Sequence, residues 1–273
     1  MAKFTIVIPT FNSEETFNSC LRSLKNQTFK DFEVLIIDNL STDDTLNIAN
    51  QHQKKIADMT IFSEKDYGIY DAMNKGIEIA NGKWLFFMGS DDTLYSNTVL
   101  ENVSKITDNT KAKVVYGDVR ILGDAGWAKN GDIYAGEFTI PKLLNQNICH
   151  QAIFYNTQFV KEEIGNFNLE YKKSSDWDFN LKCWAKQPFE YVNLIVANFK
   201  AGGFSTDSFD AQISNDFLDN VLKYFRINSF HPYVNTPTFI FYDQVIKRQK
   251  KDYPFRYKIE RLKSKIFKKF SLK

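Results

Sequence analysis

The stretch WLFFMGSDD, residues 84–92, joins five large apolar residues to a Gly–Ser step and two adjacent carboxylates. An apolar run that stops at paired acids reads as a buried strand carrying Asp91 and Asp92 to its C-terminal edge, where open α/β sheets bind ligands. Carboxylate oxygens gathered there suit a divalent cation and the phosphates it neutralises. An ordinary Asp-rich turn uses the same residues with no ligand, because Asp bonds its own backbone. Further acids stand at comparable places. Asp38 closes the run DFEVLIID, Asp66 follows a weaker strand pattern, and Asp176 precedes the helical pattern of Phe179, Leu181 and Trp184. A carboxylate near a helix start either caps the helix and complements its dipole or serves chemistry in front of it.

These acids are positioned by a regular alternation of elements. FTIVIPTFN (4–12) is an apolar, β-branched run ended by a polar turn, which suits a buried parallel strand. Asn12 with Glu15 predicts a capped helix whose Phe17, Leu21 and Leu24 share one face. DFEVLIID (31–38) predicts a second strand, and Ser41 or Thr42 caps a second helix running to Asn50. Met59–Phe62 gives a short third strand. A helix from Gly68 then sets Ile69, Met73, Gly76, Ile77 and Ala80 on one face, with Tyr70, Asp71, Asn74, Lys75 and Glu78 on the other, a face that solvent alone would also explain. After Asp92, Ser96 caps a helix carrying Val99, Leu100, Val103 and Ile106, and KVVYGDV (113–119) is another strand. Strand and helix thus alternate for about 120 residues, which predicts an α/β fold with a parallel sheet covered on both faces. Residues 120–145, rich in Gly, predict loops or a hairpin, and YVNLIVANF (191–199) a late strand. Neither a Gly-x-Gly-x-x-Gly fingerprint nor a Walker phosphate loop is present, which excludes an ordinary nicotinamide-binding domain and a P-loop enzyme.

The composition, 43% hydrophobic and 25% charged, is that of a globular protein, and no apolar run approaches the roughly 20 residues that span a bilayer. FTIVIP follows Met1–Lys3 directly without a signal-peptide pattern, so a cytoplasmic location is expected. Cys20, Cys149 and Cys183 are too few and too scattered for a disulfide framework or a zinc site. The formal charge of +2 hides an asymmetry: residues 246–273 hold 12 Lys/Arg against 2 Asp/Glu, behind a net acidic body. Within that tail Ile259, Leu262, Ile266 and Phe270, with Phe267 beside them, recur at helical spacing among basic residues. Such a helix suits an anionic membrane surface, binds phosphates of nucleic acid, or packs its apolar stripe on the body.

Several segments together resemble the family-2 glycosyltransferases, whose nucleotide-sugar-binding domain has the GT-A fold. VIPTFN resembles that family's strand-Pro-x-Tyr-Asn opening, with Phe11 in place of the commoner Tyr, and VLIIDNLSTDDT resembles its Asp-Asp-Gly-Ser-Thr-Asp segment, with Asn39 and Leu40 in place of an acid and a glycine. EKDYGIYDAMNKGI resembles members that assemble bacterial polysaccharides. GSDD takes the place of the Asp-x-Asp motif, and SDWDF that of the acid pair holding the catalytic base, with Ser175 where Glu is common. The resemblance implies Asp92 as ligand of Mn²⁺ or Mg²⁺, Asp91 and Ser90 beside it, and Asp176 as the base of an inverting transfer. Asp178, two residues on, points away from Asp176 on a helix. For the nucleotide sugar, UDP-linked by family habit, it points to Pro9, Thr10, Phe11, Asp38, Asn39, Asp66, Asn74 and Lys75. His150 and Gln151 resemble a pair that meets diphosphate or acceptor, though a structural histidine is equally consistent. Gly202-Gly203 either lets a backbone approach the ligand or forms a turn.

The expected organisation is a nucleotide-sugar-binding half (1–120), an acceptor and catalytic-base half (121–225) and a basic helical extension (226–273). The expected product line is bacterial surface polysaccharide, built on a lipid-linked acceptor by an enzyme peripheral on the inner face of the cell membrane. A nucleotide-sugar-binding scaffold without catalysis is the alternative; the acidic body and lack of a recognised motif speak against nucleic acid.

Overall fold

The computed structural model describes residues 1–56, 58–124, 126–202 and 210–270, with side chains described as far as Lys263 at the C-terminal end. Gly203 and the side chains of Ile266, Phe267 and Phe270 lie outside the described residues. The residues group into two compact units, Met1–Phe138 with Asn147–Ser214, and Thr139–Gln146 with Asn215–Lys273.

The first unit is built on one nine-stranded sheet in the order β3-β2-β1-β4-β8-β6-β9-β5, with β7 paired to β6. β1 (Phe4–Thr10), β2 (Phe32–Asp38), β3 (Met59–Ser63) and β4 (Trp84–Phe87) form its parallel half. All seven residues of β1 and of β2 are buried, which is why both read as unbroken apolar runs. Pro9 is tolerated in β1 because β4 pairs only as far as Val7, leaving one side of the strand end free. α1 (Glu14–Lys25) buries Phe17, Cys20, Leu21 and Leu24 and carries Glu14 and Glu15 in its first turn, Arg22 and Lys25 in its last, as the helix dipole favours. α2 (Thr45–Gln53) follows β2, and α3 (Ile69–Ile79) follows β3. α3 lies against β1 so closely that a Cβ at Gly76 would stand 2.3 Å from Val7 Cγ1. Phe86 and Phe154 stack at 4.6 Å on one side of the sheet, while Phe87 meets Phe167 at 5.3 Å on the other.

Beyond β4 the parallel pattern stops. β5 (Thr93–Leu94) pairs antiparallel with β9 (Glu190–Lys200), α4 (Val99–Asn109) leads to β6 (Val114–Leu122), and β7 (Ile133–Tyr134) returns against β6 as the expected hairpin. β8 (Ile153–Asn156) enters antiparallel between β4 and β6, so the second half of the sheet is mixed rather than a continuation of parallel crossovers. α6 (Thr157–Phe159) continues as one wide turn to Ile164, and α7 (Ser175–Lys186) precedes β9. Residue 120, the expected boundary between halves, falls inside β6.

α4 starts at Val99 after Thr98 and is not capped by Ser96; the starts of α1 and α2 differ from expectation for one shared reason. Asn12 does not cap α1: at φ 45° its side-chain oxygen accepts the Thr42 N–H at 2.9 Å and its own N–H donates to Ser41 Oγ at 2.8 Å. Ser41 is thereby committed to the same loop pair, and α2 begins later, at Thr45. The loops after β1 and β2 are stitched to each other instead of each capping its own helix.

The second unit contains α5 (Ile140–Leu143), the greater part of α8 (Ala211–Tyr224), α9 (Tyr242–Asp252) and α10 (Pro254–Phe270). Phe217, Val221, Phe239 and Val245 are its buried apolar residues, and Gln249 donates to the Ser229 carbonyl at 2.6 Å. On α10, Phe255, Ile259 and Leu262 share a face and are 77%, 38% and 62% exposed, whereas Arg256 stacks on the Phe230 ring at 4.2 Å. The apolar stripe of α10 therefore faces outward over its described residues. No helix among the described residues is long and apolar enough to cross a membrane.

Candidate active site

Parallel strands end at one edge of a sheet, and the loops leaving that edge form a cavity of about 510 Å³ in the first unit. β1 delivers Pro9, Thr10 and the half-exposed Phe11; the loop after β2 delivers Asn39, and that after β3 Asp66. The Asn39 side-chain oxygen accepts the Asp66 N–H at 2.9 Å, tying these two loops together. Asp66 in turn accepts the Gly68 N–H at 2.8 Å, and Gly68 takes φ 115° at the head of α3. Burial raises the Asp66 carboxyl above its usual range, and the Gly68 N–H and Lys75 oppose the rise.

The acidic turn is pinned from several sides. β4 leads into it, β5 leads out, and Ser13 at the head of α1 meets Ser90 hydroxyl to hydroxyl at 2.8 Å. Ser90 and Asp91 line the cavity. Asp92 is buried behind them, its Oδ1 accepting the Lys200 N–H at 2.9 Å and its Oδ2 without a hydrogen-bond partner. Burial, then the neighbouring Asp91 charge, push its carboxyl up to about 7, against the Lys200 N–H, His150 and Gln151. A Cβ on Gly89 would lie 2.6 Å from Asp92 Oδ2 and 2.8 Å from Asp91 Oδ1, so glycine leaves open the one space on which both carboxylates converge. A bare, desolvated carboxylate oxygen beside a second carboxylate is a donor set that fits a divalent cation. Among the described residues no group of three or more His, Cys, Asp or Glu gathers for a metal. Two carboxylates with remaining positions left to phosphate and water match how Mg²⁺-like ions are usually held.

Across the cavity stands α7 with Asp176. The Tyr70 hydroxyl on α3 is shared between Asp176 Oδ1 at 3.0 Å and the Lys173 carbonyl at 2.9 Å, and Asn147 Nδ2 donates to Asp176 Oδ2 at 2.8 Å. His150 Nδ1 lies 3.5 Å from the same Oδ2, while its Nε2 is buried without a partner. Burial first, then the Asp176 charge, hold the Tyr70 hydroxyl well above its usual range, so it stays a donor. Lys173 and Lys200 are also among the lining residues. Asp178, as its helical offset predicts, is turned into the protein, where Lys182 meets it at 2.9 Å.

Ten of the sequence-derived candidates thus meet at one cavity: Pro9, Thr10, Phe11, Asn39, Asp66, Ser90, Asp91, His150, Gln151 and Asp176. Asp92 stands just behind it. Asp38 does not reach it: fully buried, its carboxylate accepts the Ser41 N–H, the Ser41 hydroxyl and, at 2.6 Å, the Ser63 hydroxyl. Asn74 exchanges two hydrogen bonds with the Phe167 backbone at 2.8 and 3.0 Å and is buried, not part of an open polar face. Lys75 turns to Glu64 at 2.8 Å and to the Lys65 carbonyl. Tyr70, Asn147 and Lys200 join the site without a sequence signal specific to them. Tyr70 sits on a helical face that solvent would explain, Asn147 in a loop-rich stretch, and Lys200 at a strand end beside Gly202.

Comparison with known proteins bears on family and fold. The sequence matches Glycosyl transferase family 2 over residues 5–161. A PGL/p-HBAD biosynthesis glycosyltransferase of Mycobacterium bovis is 38% identical over 215 residues, covering 77% of this chain and 81% of that protein. S. aureus TarS in complex with UDP-GlcNAc superposes with a TM-score of 0.68 at 20% identity, over 81% of this chain and 65% of that one. The mannosyltransferase PcManGT of Pyrobaculum calidifontis, in complex with GDP-Man and Mn²⁺, does so with a TM-score of 0.57 at 13% identity, over 97% and 80%. With over half its length matched by the family and its fold shared with these structures, the chain belongs to glycosyltransferase family 2 and is a glycosyltransferase of GT-A fold.

Proposed function

We propose that this glycosyltransferase moves a sugar, with inversion, from a UDP-linked donor to a hydroxyl of a lipid-linked glycan acceptor in bacterial surface polysaccharide synthesis. The observation that carries the reading is that Asp91 and Asp176 line one cavity, with Asp92 buried beside Asp91 and His150 Nδ1 3.5 Å from the Asp176 carboxylate. The aromatic ring of Phe11 and the polar edge of Asn39 and Asp66 suit the nucleoside. Asp92 and Asp91 would hold Mn²⁺ or Mg²⁺, which when bound neutralises the charge gathering on the departing diphosphate. Lys200 and His150, which line the same cavity, suit the same diphosphate.

Asp176 has the form of a general base. Two donors fix its carboxylate without blocking every lone pair, so an acceptor hydroxyl can hydrogen-bond to it. As that O–H bond breaks, its proton passes to Asp176 and its electron pair forms the new bond to the anomeric carbon. The anomeric C–O bond to the diphosphate breaks with its pair on the diphosphate oxygen. Attack opposite the leaving group inverts the centre. The protein's share is orientation, held charge and exclusion of water.

The outward stripe of α10 supports a peripheral place on an anionic membrane, where lipid-linked acceptors lie. Release of UDP from UDP-sugars in the presence of Mn²⁺ tests the donor assignment. Saturable binding of UDP without any turnover on any donor would favour the non-catalytic scaffold instead.

A further inference from the structure

Behind Asp176 runs a chain of polar side chains that the transfer chemistry just described does not use. Tyr155, on β8 and fully buried, donates its hydroxyl to Asn180 Oδ1 at 2.6 Å. Asn180, on α7 and also fully buried, donates from Nδ2 to Asn147 Oδ1 at 2.8 Å and to the Ile148 carbonyl at 3.3 Å. Asn147 Nδ2 then donates to Asp176 Oδ2 at 2.8 Å. The Asn147 main-chain carbonyl accepts the Tyr134 hydroxyl at 2.6 Å, so the residue is held at backbone and side chain alike.

The chain has a polarity. An amide offers a donor end and an acceptor end, and a carboxylate or a carbonyl only accepts. Turning Asn180 over would face its oxygen to the Ile148 carbonyl; turning Asn147 over would face its oxygen to the Asp176 carboxylate. Both reversals set acceptor against acceptor, so every donor along the line points towards Asp176. Hydrogen bonds in series inside a protein also polarise one another, which strengthens the last one.

The surroundings give this polarity no packing purpose. Phe179, the residue before Asn180, stacks on Phe167 at 4.1 Å and meets Tyr155 at 5.5 Å, so this side of the sheet is already an aromatic core. Buried polar groups in such a core are costly unless every one is paired, and an apolar residue at 180 would be the simpler filling. What the line does accomplish is local to its end. With Tyr70 on Oδ1 and Asn147 on Oδ2, the plane of the Asp176 carboxylate is set, and with it the direction of the lone pairs that remain.

We infer that Tyr155, Asn180 and Asn147 are positioning residues that aim the Asp176 carboxylate at the acceptor hydroxyl through one directional hydrogen-bond line; this rests on the assignment of Asp176 as the base. Tyr155 acts on the site only through Asn180 and Asn147. Its hydroxyl touches neither donor nor acceptor, so its loss acts on the chemical step and leaves donor binding alone.

The test is release of the nucleoside diphosphate, with Mn²⁺, from whichever member of a UDP-, GDP- and dTDP-sugar panel the wild type hydrolyses, comparing Asn147→Ala, Tyr155→Phe, the double variant and Asp176→Asn. Misaiming a reacting group by about an ångström costs on the order of a hundredfold, so Asn147→Ala is expected to lower kcat by roughly that factor. Tyr155→Phe, which keeps the ring and its packing, lowers kcat by less, and in both the donor KM stays at the wild-type value. The double variant is no slower than Asn147→Ala alone, because both act through one line. Effects that multiply, a change in KM alone, or wild-type kcat in Tyr155→Phe and Asn147→Ala would overturn the inference. Should Asn147→Ala fail to fold, shown by loss of its melting transition, the kcat of Tyr155→Phe decides alone. An inactive Asp176→Asn beside unaffected Asn147 and Tyr155 variants defeats only the positioning line. Wild-type turnover in Asp176→Asn counts against the base assignment itself, and no donor hydrolysed by the wild type counts against the catalytic reading on which it rests.

Discussion

The Tyr70 hydroxyl donates to Asp176 Oδ1 at 3.0 Å across 106 positions of sequence, joining α3, which follows Asp66, to α7. One bond therefore links two elements that line the same cavity. A hydrogen bond to a charged group contributes about 1.5–3 kcal/mol, so Tyr70→Phe is expected to slow UDP release by roughly ten- to a hundredfold. Its melting temperature should fall by only several degrees, since the ring keeps its stacking on Phe167 at 5.5 Å. Steady-state kinetics beside a thermal melt checks both, and an unchanged kcat would remove Tyr70 from the site.

Asp92 Oδ2 is a buried oxygen without a hydrogen-bond partner, next to Asp91. The account expects Asp92→Asn to lose the metal dependence of UDP binding, because an amide is a far poorer ligand for a hard cation than a carboxylate. Titrating UDP by calorimetry with Mn²⁺ and with EDTA reads this directly. Wild-type protein should bind UDP more tightly with Mn²⁺ and the variant equally in both; equal binding by the wild type would deny Asp92 its ligand role.

Asp38 makes the opposite forecast. It is fully buried and accepts three hydrogen bonds from Ser41 and Ser63. Asp38→Ala leaves those donors unsatisfied in the interior, at a cost of about 1–3 kcal/mol in stability. Chemical denaturation should show that loss, with UDP affinity in the remaining folded protein little changed. A large fall in UDP affinity at unchanged stability would return Asp38 to the nucleotide.

The outward stripe of α10, with Phe255, Ile259 and Leu262 exposed among Lys and Arg, forecasts binding to vesicles that contain anionic lipid and not to purely zwitterionic ones. Sedimentation with vesicles of each composition measures it. Replacing Phe255 and Leu262 by Glu should abolish binding while UDP release in solution persists; binding that survives the pair of substitutions would contradict the forecast.

Much of the parallel half of the sheet was legible in the sequence. The buried runs 4–10 and 32–38, the acids at the strand ends and the helix from Gly68 are local patterns, and local patterns survive folding. Asp176 was legible only in company, through the resemblance of SDWDF and its neighbours to a family. What could not be read was set by distant partners. Asp38 is drawn inward by Ser63, 25 residues on, and Asn74 by the backbone of Phe167, 93 residues on. β8 is only four residues long, and nothing in IFYN states that it enters the sheet antiparallel. Asn12 matched a capping pattern, yet the loop after β2 competed for its side chain and won.

The central claim is that one cavity holds a nucleotide-sugar donor against a carboxylate base. Its most direct measurement is Mn²⁺-dependent release of UDP from UDP-sugars by wild-type protein and by Asp176→Asn, each shown folded by circular dichroism. General-base catalysis is worth about 10²- to 10⁴-fold, so the account predicts a loss of that size in Asp176→Asn with UDP binding retained. Turnover by Asp176→Asn at the wild-type rate would contradict it.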